Sequence, residues 1–276
     1  MRGMDLKITT WNINSVRLRQ GLVADFLKEH SPDILALQEI KCQNDQFPYA
    51  PFRELGYEYI EVAGMKGYHG AATLSRIPLE RLSTNFCPLD HARHVSTKVK
   101  TPGRDFELHN FYIPAGGDVA DPVINDKFRH KLDFLATMND YFSERASVGD
   151  EGQVLVGDFN IAPGEHDVWS HKQLLKVVSH TPIEVETLEK LRLSHDFIDT
   201  SRLFRDPEEK LFSWWSYRAR DVMASNRGRR LDHVWVSPVL EAAARKAGRD
   251  GYEIHTEWRV KEKPSDHVPV TQTLSF

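Results

Sequence analysis

Cysteine is scarce in this chain, with only Cys42 and Cys87 among 276 residues. Two thiols cannot build a disulfide framework or a thiolate metal site, so we expect both to be ordinary reduced cysteines. Long apolar runs are also missing, since no stretch approaches the roughly 20 apolar residues of a membrane-spanning helix. The first residues carry no apolar signal core before the first strand pattern begins. These absences predict a soluble, cytoplasmic protein without a membrane partner.

An excess of positive charge is absent as well. Lys and Arg number 36 against 40 Asp and Glu, for a net charge of −4. This excludes a polycation that binds nucleic acid by bulk charge, while a local basic face stays compatible with the total. The chain also lacks a Gly-x-x-x-x-Gly-Lys-Ser/Thr loop and a Gly-x-Gly-x-x-Gly fingerprint, which argues against nucleotide-driven transfer and dinucleotide redox chemistry. No linker or repeat interrupts residues 1–276, so we expect one domain.

Apolar periodicity predicts a layered α/β protein. Residues 6–11 alternate like a half-buried strand, and Ser15 is placed to cap a helix whose apolar positions run from Val16 to Leu27. A second apolar strand at 34–37 completes a strand, helix, strand succession. Residues 57–99 contain short strands between turns, which favours antiparallel pairing. Further elements are expected as strands at 106–112, 154–156 and 231–236, a loop at 113–118, helices at 128–142 and 185–193, and a closing strand.

One short stretch combines a core strand with reactive side chains. The apolar run 154–156 is typical of a buried strand, and it stops at Gly157. Alternation would point Asp158 and Asn160 to one side and Phe159 to the other. A carboxylate and a carboxamide that converge at a strand end suit a site that binds a cation and polarises a phosphate. An ordinary turn would also explain Gly, Asp and Asn at these positions.

Similar side chains recur at the ends of other predicted strands. Any one of them is explained by a solvated acid, a cap or a satisfied histidine, but turn preference does not explain their joint recurrence in one setting. Carboxylates and amides favour Mg²⁺ or Mn²⁺, whereas zinc usually requires several Cys or His ligands. The set comprises Asn12, Glu39, Tyr112, Asp158, Asn160, Asp232, Asp266 and His267.

Hydrolysis of a phosphoester by an activated water fits this set of residues best. Glu39 would hold the metal on a phosphate oxygen, and either Asp158 or His267 would prepare the water. Asp232 would orient the imidazole. The side chains expected to stabilise charge on the phosphorane are Asn160 and Tyr112.

Six motifs occur in order along the chain: Trp11–Ser15, Pro32–Lys41, Gly157–Asn160, Phe212–Trp215, Arg230–His233 and Ser265–His267. Together they resemble the exonuclease III family of apurinic/apyrimidinic endonucleases, over essentially the whole chain. The resemblance implies a four-layered α/β sandwich of two packed mixed β-sheets flanked by helices. It also implies Mg²⁺-dependent cleavage of double-stranded DNA 5′ to abasic sites, with 3′-5′ exonuclease and 3′ end-cleaning activities on blocked ends. We also expect the protein to be a monomer.

The resemblance also implies roles for individual residues. Asn12, Glu39 and Asp266 are expected near metal, and Tyr112 on the phosphate. Asp232 and His267 are expected to form a pair. Asp158 matches the water activator or leaving-group acid, with Asn160 as its partner in the transition state. Because the family admits one or two metal ions, the further metal candidates are Asp158, Asn160 and His267.

Aromatic and basic residues are the candidates for holding DNA. In similar enzymes an aromatic packs on the sugar of a flipped-out abasic nucleotide, and unstacking costs least when no base is present. Here Trp214 and Trp215 are the candidates, although two core tryptophans would give the same sequence. Surface arginines are usually just solvated. The candidates for phosphate contacts are Asn14, Lys41, Arg227, Arg229 and Arg230.

The loop after Tyr112 departs from the family pattern. Relatives commonly carry Asn or Gln two or three residues after this tyrosine, where the side chain can reach a phosphate. Ala115 cannot donate a side-chain hydrogen bond, and Asp118 would repel phosphate if it faced DNA. The balance of exonuclease against endonuclease activity therefore stays open. A phosphoesterase of the same fold that acts on inositol phosphates, sphingomyelin or undamaged nucleic acid is the main alternative, and a non-catalytic binding module is another.

Overall fold

The computed structural model describes residues 4–83, 89, 91–149, 151–218 and 221–276. Cys87 lies outside these ranges, whereas Cys42 is a buried free thiol whose pKa is raised by burial to about 11. The strands are β1 (Asp5–Asn12), β2 (Ile34–Gln38), β3 (Tyr59–Ala63), β4 (Ala71–Ser75), β5 (Leu79–Arg81), β6 (His94–Val99), β7 (Phe106–Tyr112), β8 (Gln153–Asp158), β9 (Ile198–Asp199), β10 (Trp214–Trp215), β11 (Gly228–Arg229), β12 (Asp232–Val236), β13 (Tyr252–Ile254) and β14 (Val270–Ser275). The helices are α1 (Val16–His30), α2 (Tyr49–Arg53), α3 (Asp126–Val148), α4 (His171–Leu174), α5 (Pro182–Leu193), α6 (Val222–Ser225) and α7 (Glu241–Lys246).

Most of these strands form two six-stranded mixed sheets. The strand order is β13-β14-β1-β2-β4-β3 in the first sheet and β5-β6-β7-β8-β12-β9 in the second. Each sheet has a parallel pair between antiparallel neighbours, β1 with β2 and β7 with β8. A helix joins the strands of each pair, α1 in the first sheet and α3 in the second. Both crossovers therefore bring two strand ends to one edge of a sheet, where polar side chains can meet.

The sheets pack face to face, and the helices cover their outer faces. Apolar side chains that alternate along the central strands of both sheets meet in one core, which includes Leu6, Ile8, Ile34, Leu108, Val154, Val156 and Val234. The opposite face of the first sheet packs on α1 through Val23 and Phe26. The outer face of the second sheet packs on α3 and α5 through Phe134 and Leu188. This arrangement is the predicted four-layered sandwich.

The long strands and helices agree with the sequence-based predictions. The division of strands between the two sheets was not predicted, and the capping of α1 differs from the prediction. The antiparallel pairing expected for residues 57–99 is confirmed, but β3 and β4 belong to the first sheet while β5 and β6 belong to the second. Ser15 occupies the cap position of α1 but makes no side-chain cap bond, because its backbone is left-handed with φ 87°. In the described part of the chain, no helix is long and apolar enough to cross a membrane.

Candidate active site

Both parallel strand pairs end at one cleft of about 680 Å³. Asn12 ends β1 and Glu39 follows β2 in the first sheet, while Tyr112 ends β7 and Asp158 ends β8 in the second. The cleft therefore lies at the junction of the two sheets, and each sheet contributes acids to it. The sequence-predicted residues that line it are Asn12, Glu39, Tyr112, Asp158, Asn160, Trp214, Arg229, Asp266 and His267.

Gly157 sets the geometry of the strand end that carries Asp158. A Cβ atom at this position would lie 1.9 Å from the carbonyl oxygen of Phe111 on the neighbouring strand, so only glycine fits. Asn160 then adopts a left-handed backbone with φ 54°. The prediction that Asp158 and Asn160 face one side is confirmed, but this turn, and not strand alternation, aims Asn160 into the cleft. Phe159 packs in the opposite direction, into the core under α3.

The amide of Asn12 joins the acids of the two sheets. Its Nδ2 donates to Glu39 Oε2 at 3.1 Å and to Asp158 Oδ2 at 2.9 Å. Its Oδ1 accepts the backbone N–H of Asn14 at 3.1 Å, which fixes the orientation of the amide. Lys41 Nζ lies 2.8 Å from Glu39 Oε1 and supplies a positive charge beside this carboxylate.

Asp232 and His267 form the predicted pair, and Asp158 lies beside it. Asp232 Oδ2 is 2.8 Å from His267 Nδ1, and the other ring nitrogen, Nε2, is 3.7 Å from Asp158 Oδ2. Burial raises the pKa of Asp158 to about 7 despite the opposing charge of His267. Burial alone would lower the pKa of His267, but Asp232 and Asp158 outweigh it and raise the pKa to about 10. The imidazole is therefore an imidazolium at neutral pH, whereas Asp158 titrates there.

Backbone contacts hold His267 and Asp232 in place. Ser265 Oγ donates to the carbonyl of Asn12 at 2.6 Å, and Trp11 Nε1 donates to the carbonyl of His267 at 3.0 Å. Ser213 Oγ donates to Asp232 Oδ2 at 2.6 Å. Sequence reasoning did not identify Ser213 as a site residue, although it lies within the Phe212–Trp215 motif. Its role here is to orient Asp232.

A buried ion pair supports Asn160 from behind. Lys131 Nζ contacts Glu184 Oε1 at 2.5 Å and donates to the carbonyl of Asn160 at 2.8 Å, and both side chains of the ion pair are fully buried. Asn160 Nδ2 in turn donates to Asp158 Oδ2 at 3.0 Å and to the carbonyl of Ile113 at 2.9 Å. Sequence reasoning did not identify Lys131 or Glu184 as site residues, because Lys131 is an ordinary polar position of a predicted helix and Glu184 directly precedes another.

Tyr112 faces the cleft with a hydroxyl that stays protonated. Burial, and the negative charges of Glu39 and Asp158, raise the pKa of this phenol well above its usual value. The guanidinium of Arg93 lies 4.9 Å from the centroid of its ring. Tyr112 is therefore available as a hydrogen-bond donor over the whole neutral range.

The donor set of the cleft fits a hard divalent cation. Glu39, Asp158 and Asp266 provide carboxylates, and the amide of Asn12 lies among them with its Nδ2 toward Glu39 and Asp158. One ligand atom from each of Asp158, Asp232 and His267 lies within 4.8 Å of the others. Within the described residues, the buried Oδ1 of Asp232 has no hydrogen-bond partner. This excess of buried anionic oxygen is the environment that a Mg²⁺ or Mn²⁺ ion would neutralise.

Trp214 and Arg229 form one wall of the cleft. The Trp214 side chain is partly exposed, and its Nε1 donates to Asp266 Oδ2 at 3.0 Å. The guanidinium of Arg229 lies 5.2 Å from the centroid of the indole. Asn14 Nδ2 donates to Asp266 Oδ1 at 3.0 Å, and its Oδ1 accepts from Lys41 at 2.6 Å. Trp214, Arg229, Asn14 and Lys41 thus border the acids of the cleft; their role as DNA contacts stays a prediction.

Two of the predicted DNA contacts are corrected by the structure. Trp215 is 3% exposed, packs on Phe212, and donates its Nε1 to Asn226 Oδ1 at 3.1 Å, so its ring is part of the core. Arg230 is 1% exposed and pairs with both Asp167 and Asp199 at 2.8 Å. Neither side chain can reach a phosphate, because each is buried and its N–H groups already bond to other residues of the protein.

The remaining basic candidate and the departing loop lie at the surface. Arg227 is exposed, and its guanidinium lies 4.7 Å from the centroid of the Trp169 ring. Ala115 and Asp118, in the loop after Tyr112, are also exposed, and both line the cleft. The carboxylate of Asp118 thus faces the cleft from this loop.

Comparisons with known proteins show which family the chain belongs to. A model of the Endonuclease/Exonuclease/phosphatase family matches residues 9–267. Exodeoxyribonuclease III of Haemophilus influenzae is 29% identical over 275 residues, which cover 96% of this chain and 98% of that protein.

Two solved structures are similar along nearly their whole length. The 3′ phosphatase NExo from Neisseria, bound to a product DNA hairpin, superposes with a TM-score of 0.85 at 28% identity, covering 98% of this chain and 100% of that one. An AP endonuclease from Archaeoglobus fulgidus gives a TM-score of 0.84 at 29% identity, covering 98% of each chain. The predicted resemblance and fold are confirmed. The chain belongs to the Endonuclease/Exonuclease/phosphatase family.

Proposed function

We propose that this protein is a Mg²⁺-dependent DNA repair nuclease. It hydrolyses the phosphodiester 5′ to abasic sites, and it trims 3′ ends by 3′-5′ exonuclease and by phosphatase or phosphodiesterase activity. The observation that carries the proposal is the single cleft in which Asp158, His267 and Glu39 converge beside the Trp214–Arg229 wall. Relatives named exodeoxyribonuclease III, AP endonuclease and 3′ phosphatase support the same range of reactions.

Asp158 is the proposed acceptor of the proton from the attacking water. Its pKa of about 7 makes it a stronger base than an ordinary carboxylate, while it still ionises in the neutral range. His267 cannot accept this proton at neutral pH, because its raised pKa keeps it protonated. The imidazolium instead offers Nε2–H to a phosphate oxygen, with Asp232 stabilising its charge. Of the two candidates for the general base, the electrostatics favour Asp158.

Asn160 and Tyr112 are the proposed donors to the phosphate oxygens. Asn160 is rigid because its backbone carbonyl and its amide are both held, and Tyr112 keeps its proton. Preorganised donors of this kind stabilise charge that develops in the transition state. Mg²⁺, or Mn²⁺ as a substitute, would neutralise phosphate charge at Glu39, with Asn12 and Asp266 nearby. Asp158, Asn160 and His267 are its further candidate ligands.

Selectivity for an abasic nucleotide would come from shape. The indole of Trp214 offers an apolar face to a sugar that has left the duplex, and extrusion costs least where no base is stacked. Arg229, Arg227, Lys41 and Asn14 are the proposed phosphate contacts. Every residue of the site comes from one chain, so we propose that a monomer acts on double-stranded DNA with abasic sites or blocked 3′ ends. Its single-domain organisation and cytoplasmic location remain predictions from the sequence.

A substrate panel tests the proposal. The protein with Mg²⁺ is given an end-labelled duplex with one abasic analogue, the matched undamaged duplex, a 3′-phosphorylated duplex, inositol phosphates and sphingomyelin. We expect incision 5′ to the lesion and release of 3′ phosphate, with no turnover of the last two. Turnover of inositol phosphates or sphingomyelin without incision would support the alternative phosphoesterase. If the protein binds DNA but turns over none of these substrates, the result would support the alternative of a non-catalytic binding module.

A further inference from the structure

A second cluster of potential metal ligands lies outside the catalytic cleft. It joins His30, at the end of α1, to His255 and Glu257, which follow β13. One ligand atom from each of these three residues lies within 4.8 Å of the others. None of them lines the cleft that holds Asp158. The cluster is therefore separate from the proposed nuclease site.

The orientation of His255 is the central observation. This side chain is 1% exposed, and its Nε2 pairs with Thr271 Oγ1 at 2.9 Å. Thr271 Oγ1 also pairs with Thr9 Oγ1 at 2.8 Å, so a buried network fixes the ring. Metal-binding histidines are held in this way, with one ring nitrogen bonded to a protein oxygen and the other left for the metal.

The other ring nitrogen of His255 points at carboxylates. Within the described residues, buried Nδ1 has no hydrogen-bond partner. It lies 3.5 Å from Glu253 Oε1 and 3.7 Å from Glu257 Oε1, which is too long for hydrogen bonds. Nδ1 therefore faces two carboxylates without a hydrogen bond to either, an arrangement that a cation bound between them would stabilise.

The donor spacing suits a small transition-metal ion. Two ligands of a tetrahedral zinc ion, each about 2.1 Å from the metal, lie about 3.4 Å apart. The distances from His255 Nδ1 to the two glutamates are close to this value. Two imidazoles and two carboxylates would also balance the charge of a divalent ion. The adjacent cavity of about 100 Å³, lined by His30, Glu253 and His255, provides a path from solvent.

We propose that His30, His255 and Glu257 form a zinc site, distinct from the catalytic centre, that ties the end of α1 to the turn after β13, and that the exposed Glu253 turns in as its fourth ligand. Trp258 Nε1 donates to His30 Nε2 at 3.3 Å. Coordination through either nitrogen of His30 removes this bond, because the metal takes Nε2 itself or moves the proton to it. Lys7 lines the same cavity, so its positive charge would repel a bound zinc ion and oppose binding.

Zinc titration of the full chain tests the site. The protein is stripped with chelator, returned to excess Mg²⁺ to fill the catalytic centre, and titrated with Zn²⁺ by calorimetry and by thermal unfolding. His30→Gln and Glu257→Gln alter partly exposed and exposed ligands, so both variants should fold. Glu262→Gln changes an exposed glutamate outside the cluster and is the matched control.

The expected result is one Zn²⁺ bound in the presence of Mg²⁺, with a rise of several degrees in the unfolding temperature. His30→Gln and Glu257→Gln should each weaken zinc affinity at least about tenfold and abolish the rise, while Glu262→Gln should behave as the parent. Equal zinc binding by the parent and all three variants would mean an adventitious ion, or zinc in the catalytic centre, and would overturn the proposal. So would absence of zinc binding by the parent.

Discussion

The imidazole of His267 lies between two carboxylates, with Asp232 Oδ2 2.8 Å from Nδ1 and Asp158 Oδ2 3.7 Å from Nε2. This relationship separates the roles of the three residues. Asp232 holds the proton on Nδ1 and stabilises the positive ring, so Nε2 carries its proton toward Asp158 and the cleft. Asp158, with its pKa raised to about 7, changes its protonation near neutral pH, whereas the pKa of His267 is raised to about 10 and keeps the ring protonated.

Asp158→Asn should lower kcat by at least about two orders of magnitude, because an amide cannot accept the proton of water. The substitution keeps the size of the side chain, so affinity for the abasic duplex should stay within a few-fold of the parent. Asp140→Asn, an exposed acid on α3, is the control. Single-turnover incision and equilibrium binding measure both quantities. Near-normal turnover of Asp158→Asn would remove Asp158 from the mechanism.

The pH dependence of kcat/KM follows from the two raised pKa values. Asp158 works as a base when ionised, so the rate should rise as pH passes through about 7, and it should fall above about 10 as His267 loses its proton. A bound cation favours the carboxylate, so the ascending limb should move to lower pH as Mg²⁺ is increased. A rate that does not change between pH 5 and pH 8 at low Mg²⁺ would contradict the assignment of Asp158.

His267→Ala and Asp232→Asn should each reduce kcat by at least about 100-fold, and their effects should not add. Once the imidazole is absent, Asp232 has nothing to orient, so the double variant should be little worse than His267→Ala. A double-mutant cycle on single-turnover rates measures the coupling. Additive losses would show that Asp232 acts independently of His267.

Trp214→Ala should weaken selectivity for abasic DNA more than it slows hydrolysis at ordinary 3′ ends. Trp214→Phe is the matched variant, since it keeps an aromatic face but loses the Nε1 bond to Asp266. If sugar packing is the main role, phenylalanine should retain most of the selectivity. If Trp214→Ala reduces the rates on both substrates equally, sugar packing is not the role of this residue. If Trp214→Phe loses as much selectivity as Trp214→Ala, the effect comes from the lost hydrogen bond to Asp266.

Arg230→Met should destabilise the fold by about 3–5 kcal/mol, because it leaves the buried Asp167 and the partly buried Asp199 without the guanidinium that pairs with both. Arg230 holds the pKa of Asp167 below its usual range against the opposing effect of burial. The stabilisation is therefore present above pH 4, the ordinary carboxyl range, and is lost as pH falls further. Urea unfolding measures this, with Arg227→Met within about 0.5 kcal/mol of the parent as control. Little change for Arg230→Met would contradict its structural role.

The residues that line the cleft could be predicted because each stands at the end of an apolar run in the sequence. An apolar run that stops at a polar residue marks a strand end, and this was enough to place Asn12, Glu39, Tyr112 and Asp158 around one site. Gly157 could be recognised as a strand terminus, but its close approach to Phe111 depends on the pairing of β7 with β8.

Burial by distant partners could not be predicted in this way. From the sequence, Arg230 is predicted to belong to a basic surface loop. Its buried partner, Asp167, is 63 residues away in the sequence. The sequence predicts Lys131 only as a polar position of a helix, and its partner Glu184 is 53 residues away in the sequence. Trp214 and Trp215 are neighbours with the same local signal, yet only Trp214 borders the cleft. Pairings of this kind arise from the packing of the layers, which no local pattern encodes.

Incision of a duplex with one abasic analogue is the most direct measurement of the central claim. Under single-turnover conditions with Mg²⁺, the account predicts one cut immediately 5′ to the lesion that leaves a 3′ hydroxyl. It also predicts loss of that cut with chelator, and a rate at least about 100-fold lower for Asp158→Asn. Absence of incision at the lesion by the parent protein, or incision that persists undiminished in Asp158→Asn, would contradict it.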